Sequence, residues 1–214
     1  MFRDLTRREG LEVLDRVRNF VMGYDKNEHI INQGEAVRYI GIVSMGTLTG
    51  LKNHYDGSVQ LLRVYEEGDT VGLDGAASHL STTPVTIQAE TYSTLLNFEY
   101  KDLRCGGSLP EVTQRKIDEN LIRVLADENI KLMYKVDVLS KRTLRERVLA
   151  HLSLISEKRG SLQIDIGMNQ EKFAQYLCVN QNVLCHELNK MRREGIIEYK
   201  RSKYTLLMAG SSKK

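Results

Sequence analysis

The sequence predicts an α+β chain in three parts: an antiparallel β-barrel or β-roll, a long helix, and a C-terminal winged helix-turn-helix. Three observations carry this. Between about Phe20 and Phe98, short alternating apolar runs are broken by glycine and Asp/Asn turns, among them Asp56-Gly57 and Glu67-Gly68-Asp69, the pattern of antiparallel strands. From Pro110 to about Leu139 the apolar period changes to alternating steps of three and four, the mark of a helix. Asn169 to Ile197 then reads as two short helices about a tight turn, followed by a hairpin. The boundaries that follow are 1–109, 110–139 and 140–214.

Taken in order, residues 4–19 predict a short helix with Leu5, Leu11, Leu14 and Val17 inward. The long helix carries an a/d seam of Ile122, Leu125, Asn129, Leu132, Val136 and Leu139. Asparagine at an a position costs stability but fixes a two-stranded register, so the seam predicts a parallel homodimer. Ile117, Leu121, Val124 and Ile130 form a second face for the roll. Thr143 and Glu146 stand at capping-box spacing and open a helix to about Lys158, with Leu144, Val148, Leu152 and Ile155 as its stripe. Residues 139–143 are then a hinge, and 161–167 are extended. In the helix pair, Phe173, Ala174 and Leu177 line the first member, and Val183, Leu184, Leu188 and Met191 the second. Asn169 and Asn180 are N-caps, Cys178-Val179-Asn180 is the bend, and Gly195 is the stop. The hairpin has a basic tip of Lys200, Arg201 and Lys203. Such a helix pair with a basic wing suits a DNA major groove and its flanking phosphates.

Composition narrows the function. The chain has 214 residues, 41% of them hydrophobic, enough to bury a core. It has no run of about 18 apolar residues and no signal-peptide pattern at its start, so a cytoplasmic protein without a membrane partner is expected. Net charge is +3, unevenly spread: residues 141–214 hold 15 Lys and Arg against 7 Asp and Glu, net +8, and the remainder is −5. A basic C-terminal third predicts a localised anion-binding surface. The three cysteines, Cys105, Cys178 and Cys185, form no CxxC, which argues against a disulfide framework, a zinc site or an Fe–S site. The five histidines, at 29, 54, 79, 151 and 186, are scattered, unlike the clustered set a cupin-type barrel enzyme needs. Ser-His-Asp, P-loop and GxGxxG arrangements are absent. An enzyme is therefore not expected. A ligand-binding module whose winged helix meets protein is a further alternative, against which the +8 charge argues.

With the whole order in view, the chain resembles the Crp/Fnr family of bacterial transcription regulators. The pieces that carry the resemblance are IINQGE at 30–35, GTLTGL after Ser44-Met45, EEGDTVG at 66–72, LSKRTLRERVLAHL at 139–152, and the helix-turn-helix. The resemblance implies a cyclic-nucleotide-binding-like roll, a homodimer on near-palindromic double-stranded DNA, contact with RNA polymerase, and control by a small signal. In cAMP-binding members a Glu holds the ribose and an Arg-Ser pair the cyclic phosphate. Here the matching loop is Gly72-Leu73-Asp74-Gly75, with Leu73 at the Glu position, and Thr83-Pro84 at the Arg-Ser positions. Losing the guanidinium forfeits a charge-assisted contact of roughly 1.5–3 kcal/mol, so cAMP is not the expected effector. The cysteines that hold the cluster of oxygen-sensing members are missing before Cys105, and His54 and His79 are weak haem candidates. No cofactor is expected. The implied effector pocket comprises Gly72, Leu73, Asp74, Gly75, Thr82 and Thr83 with Leu132 and Met133 of the long helix, and suits a small, weakly polar or aromatic ligand, or none; a constitutive, effector-free DNA-binding regulator is the alternative.

The resemblance also assigns the output residues. Gln181, Asn182, Cys185 and His186 fall at base-reading positions, with Asn182 and His186 where the family usually has Glu and Arg. Arginine pairs with guanine, whereas Asn and Gln pair with adenine, so a site richer in A·T than the family's usual half-sites is expected. Asn169, Gln170, Asn180, Lys190, Arg193, Lys200, Arg201 and Lys203 are the expected phosphate-backbone contacts.

Overall fold

Glycine turns and alternating apolar residues fold the N-terminal part into two four-stranded antiparallel sheets. The structure is a computed structural model that describes residues 2–207 apart from Gly106 and Ser108, with the side chain of Cys105 also outside the description. Lys213 and Lys214 lie outside the described residues. In chain order the elements are α1 (Arg7–Arg16), β1 (Asn19–Tyr24), β2 (His29–Ile31), β3 (Tyr39–Met45), β4 (Leu48–Asn53), β5 (Val59–Tyr65), β6 (Thr70–Val71), α2 (Leu73–Ala77), β7 (Thr86–Ala89), β8 (Ser93–Glu99), α3 (Tyr100–Cys105), α4 (Glu111–Ser140), α5 (Leu144–Arg159), β9 (Gln163–Asp165), α6 (Gln170–Tyr176), α7 (Gln181–Arg193), β10 (Ile197–Lys200) and β11 (Lys203–Leu206). The sheets run β1-β8-β3-β6 and β2-β7-β4-β5, with a third of β10-β11-β9. The barrel-or-roll alternative is thus resolved as a roll.

The chain divides into two compact units, Met1–Ile130 and Lys131–Lys214, so α4 contributes residues to both. In the first unit, a core of Tyr24, Val43, Leu48, Tyr65, Ile87 and Leu95 lies within the roll. A second core joins Val13, Val17, Ile40, Leu73, Phe98 and Leu103 to Ile117 and Leu121 of α4. Polar contacts reinforce it: Lys116 Nζ lies 2.7 Å from Glu9 Oε1, and Asn120 Nδ2 donates to Arg3 O at 2.6 Å.

Two sequence expectations are corrected here. The first helix is shorter than residues 4–19 and buries Val13, while Leu11 is 58% exposed and Leu14 also faces solvent. Thr6 caps it with Glu9, which sets its start, and Val13 and Val17 turn inward to the core of Phe98 and Ile117. On α4, Ile117 and Leu121 are buried as expected, but Ile130 is 48% exposed.

The second unit follows the predicted signals closely. Thr143 and Glu146 form the reciprocal capping box, and Gly160, in the left-handed region, ends α5. Val148 and Leu152 of α5 are fully buried, as are Phe173, Leu177, Leu184, Leu188 and Met191 of the helix-turn-helix. Leu144 and Ile155, from the same predicted stripe, are half-buried.

Candidate functional site

The exposed face of α7 is built by its caps and its buried stripe. Asn180 Oδ1 accepts from the Asn182 amide at 2.8 Å, and Asn169 Oδ1 accepts from the Lys172 amide at 2.8 Å. Both N-caps are therefore as the sequence predicts. Cys178 makes the bend with φ 58, and Gly195 continues past the helix with φ 69. Leu184, Leu188 and Met191 hold α7 to the core. This leaves Gln181, Asn182 and His186 exposed, with Lys190 and Arg193 further along.

Two residues depart from expectation. Val183, expected in the buried stripe, is 54% exposed. Leu184, Leu188 and Met191 complete the three-to-four spacing without it, so Val183 turns to the outer face beside Asn182 and His186. An apolar side chain there can meet a thymine methyl. Cys185, expected to read bases, is half-buried, and its thiol donates to Gln170 Oε1 at 3.2 Å. That contact ties α7 to α6. Gln170 is accordingly held from behind by Cys185.

α7 is braced from α5. Arg145 Nε donates to Glu187 Oε1 at 2.7 Å, and its Nη1 to Glu194 Oε2 at 2.6 Å. Hydrogen bonding to Arg145 holds the Glu194 carboxyl below the usual carboxylate range. Arg147 adds donations to Lys141 O and Leu177 O. The wing forms as predicted, β10 pairing with β11 and β11 with β9. Lys200 and Lys203 stand directly opposite each other in that hairpin, with Arg201 between them at φ 57. Like charges in register repel, and a phosphate beside them relieves that repulsion. An open cleft of about 580 Å³ beneath the wing is lined by Arg159, Lys200 and Lys203 together with Asp165 and Glu198.

Along α4, the predicted seam residues face outward. Ile122 and Val136 are each 66% exposed, Leu125, Asn129 and Leu132 are exposed, and Leu139 is half-buried.

The loop matching the cyclic-nucleotide site is tightly built. Gly72 takes φ 80 at the N-cap of α2, and a Cβ at Gly75 would meet Val37 Cγ2 at 2.8 Å. Leu73 is buried in the core with Val37 and Phe98, and only Asp74 of this loop is exposed. Thr83 is 3% exposed, with its hydroxyl donating to Val85 O at 3.2 Å. Thr82 is half-buried and bridges Ala36. Leu73 and Thr83 are therefore core positions rather than pocket walls, because each side chain is spent on the roll's own packing. Leu132 and Met133 are exposed and belong to the second unit. The roll does hold a cavity of about 160 Å³, lined by other residues: Phe20, Met22, Tyr24, Tyr39, Leu95 and Asn97 among them.

Comparison with known proteins adds the decisive observation. The family model for the cyclic nucleotide-binding domain matches residues 21–104, and that for the Crp-like helix-turn-helix domain matches residues 146–209. The chain belongs to the Crp/Fnr family of transcription regulators. As a Crp/Fnr protein it is a DNA-binding transcription regulator and not an enzyme. Electron transport regulator A of Shewanella oneidensis is 23% identical over 206 residues, which are 92% of this chain and 78% of that one. Two similar solved structures are a CooA variant from Carboxydothermus hydrogenoformans and the c-di-GMP-responsive regulator CLP of Xanthomonas campestris. The CooA structure is 20% identical, with 95% of this chain and 92% of that one covered and a TM-score of 0.74. CLP is 14% identical, with 94% and 99% covered and a TM-score of 0.74. These likenesses concern the fold.

No motif in the sequence marks two further clusters within this Crp/Fnr fold, one half-buried and one buried. In the first unit, Arg63 of β5 meets Glu128 of α4 at 2.6 Å. In the second, Lys135 is 5% exposed with its Nζ 4.2 Å over the Tyr176 ring, and His151 lies 4.7 Å from the same ring. Burial pushes the Lys135 ammonium down to about 8. Burial first, and the Lys135 charge second, push His151 down to about 4. Among the described residues, no group of three or more His, Cys, Asp or Glu is placed to hold a metal ion, and no helix is long and apolar enough to cross a membrane.

Proposed function

We propose that the chain acts as a homodimer that places α7 of each protomer in successive major grooves of a near-palindromic site. A small effector other than cAMP controls it. The observation that carries this reading is the outer face of α7. Asn182, Val183 and His186 are exposed, while the caps, the buried stripe and the Arg145 brace fix the helix beneath them. Two-fold symmetry would space the half-sites about 34 Å apart. Dimerisation is supported by the apolar residues exposed along α4, which a partner helix would cover with Asn129 setting the register.

Base reading rests on Gln181, Asn182, Val183 and His186, with adenine favoured by the carboxamides and thymine by Val183. Lys190, Arg193, Lys200, Arg201 and Lys203, with the helix-start residues Asn169, Gln170 and Asn180, meet the phosphates. The effector is not cAMP, because Leu73 and Thr83 supply neither the carboxylate nor the guanidinium that its ribose and phosphate require. Haem and Fe–S cofactors play no part in this reading. The protein works in the cytoplasm, where it meets DNA and RNA polymerase.

In-vitro selection from random duplexes, with sedimentation of the selected complex, tests the proposal. Palindromic A·T-rich half-sites one helical turn apart and a two-to-one stoichiometry are expected. A single unpaired site bound by one chain would refute it. Saturable micromolar cAMP binding would refute the effector assignment.

A further inference from the structure

Arg63 of β5 is half-buried beside Tyr65, which shares its face of the strand and is almost fully buried. A guanidinium held in such surroundings calls for a partner. The Arg63 guanidinium lies 4.1 Å over the Tyr65 ring, and its Nη2 lies 2.6 Å from Glu128 Oε1. That contact has the distance of an ion pair without the alignment of a hydrogen bond, and Nε is buried with no acceptor. A guanidinium offers five N–H donors in a fork that fits an oxyanion two atoms at a time. Glu128 uses little of that capacity. Gly50 stands opposite Arg63 in the β4–β5 register and places no side chain against the guanidinium.

We propose that Arg63 anchors an effector site for a small organic anion bearing a carboxylate or phosphate, and that Glu128 stands in for that anion in the free chain. The proposal rests on the reading of this protein as effector-controlled and names the chemistry of the effector. The incoming oxyanion takes the forked position on Arg63, and Glu128 is released. It must displace Glu128 rather than join it, because Asp69 and Asp74 already place negative charge near Tyr65. Glu128 immediately precedes Asn129 of the α4 seam. The exchange therefore acts on the helix that carries the proposed dimer contact.

The test uses the full chain with benzoate and inorganic phosphate as probes, titrated by calorimetry at constant ionic strength against chloride. Glu128→Gln keeps the side chain's size and removes the competing charge. It should bind one of the probes at least tenfold more tightly than wild type, and the probe that binds tells carboxylate from phosphate. Adding Arg63→Met to it should abolish the gain. The Arg63 Nε–H resonance should shift on titration in Glu128→Gln, a change that a merely structural pair would not give. Equal weak binding by wild type and Glu128→Gln, or a gain that survives Arg63→Met, would overturn the site. Should Arg63→Met not fold, Arg63→Lys serves, which keeps the charge but loses the fork and should cost at least threefold. Anion binding that leaves affinity for the selected DNA unchanged would uphold the site and sink the effector reading. Intact DNA binding with no anion binding would sink the site alone.

Discussion

Lys135→Met should stabilise the protein near neutral pH, although it deletes a charged residue at the end of the long helix. Lys135 is 5% exposed, and burial lowers its pKa from 10.5 to about 8. At about 1.4 kcal/mol per pH unit, that gap is a penalty of roughly 3 kcal/mol for folding with the ammonium charged. Its contact with the Tyr176 ring is part of the folded state and would be lost, at about 1–2 kcal/mol. Methionine fills the same unbranched volume without charge, so a net gain of about 1–2 kcal/mol is expected at pH 7. The pH dependence distinguishes this cause from better packing. Above about pH 8 the folded wild type releases a proton that the unfolded chain keeps until 10.5. Wild-type stability therefore rises in that window, and about 2 kcal/mol of the penalty is gone by pH 9.5. The groups facing Lys135 are His151, already neutral there, with Tyr176 and Cys178. Burial holds Tyr176 up at about 12, outside the window. Urea denaturation at pH 7 and pH 9.5, followed by circular dichroism at equal chain concentration, reads the difference. A variant less stable than wild type at pH 7, or a gap that does not narrow at pH 9.5, would refute the reasoning.

Other consequences follow from the same structure. His151 is folded neutral with a pKa near 4 against an ordinary 6.5, so acid should destabilise the second unit. The unfolded chain takes up a proton that the folded one refuses as pH falls from 6.5 to 4, with a loss of about 3 kcal/mol by the lower limit. His151→Phe should flatten that slope in an acid titration of stability, and an unchanged slope would count against it. Ile122→Glu with Val136→Glu should turn a sedimenting dimer into a monomer without melting it, because both side chains already meet solvent in the single chain; an unchanged sedimentation coefficient would place the dimer contact elsewhere.

Much of the fold was legible because local signals agreed with the tertiary outcome. Thr143 with Glu146, Asn169, Asn180 and Gly195 each act through backbone geometry within a few residues, and all are where the pattern put them. What was not legible depends on neighbours distant in sequence. Leu11 and Leu14 are apolar at helical spacing, yet the orientation of α1 is set by Val13 and Val17 packing on Phe98 and Ile117. Cys185 sits at a base-reading position of the family pattern, but Gln170, fifteen residues earlier, engages its thiol. Val183 was assigned to the core by a spacing that Leu184, Leu188 and Met191 satisfy without it. The inward polar side chains of Arg63, Lys135 and His151 share this origin, since their partners, Glu128 and Tyr176, come from other elements.

The central claim is that α7 reads DNA through its exposed face, and His186→Arg tests it most directly. In-vitro site selection with wild type and variant should return the same half-site spacing for both. At one position per half-site the variant should newly select guanine, by about 1–3 kcal/mol for a bidentate arginine pair. Identical selected sequences for the two proteins would contradict the placement of His186 at a base edge, and with it this account of the helix.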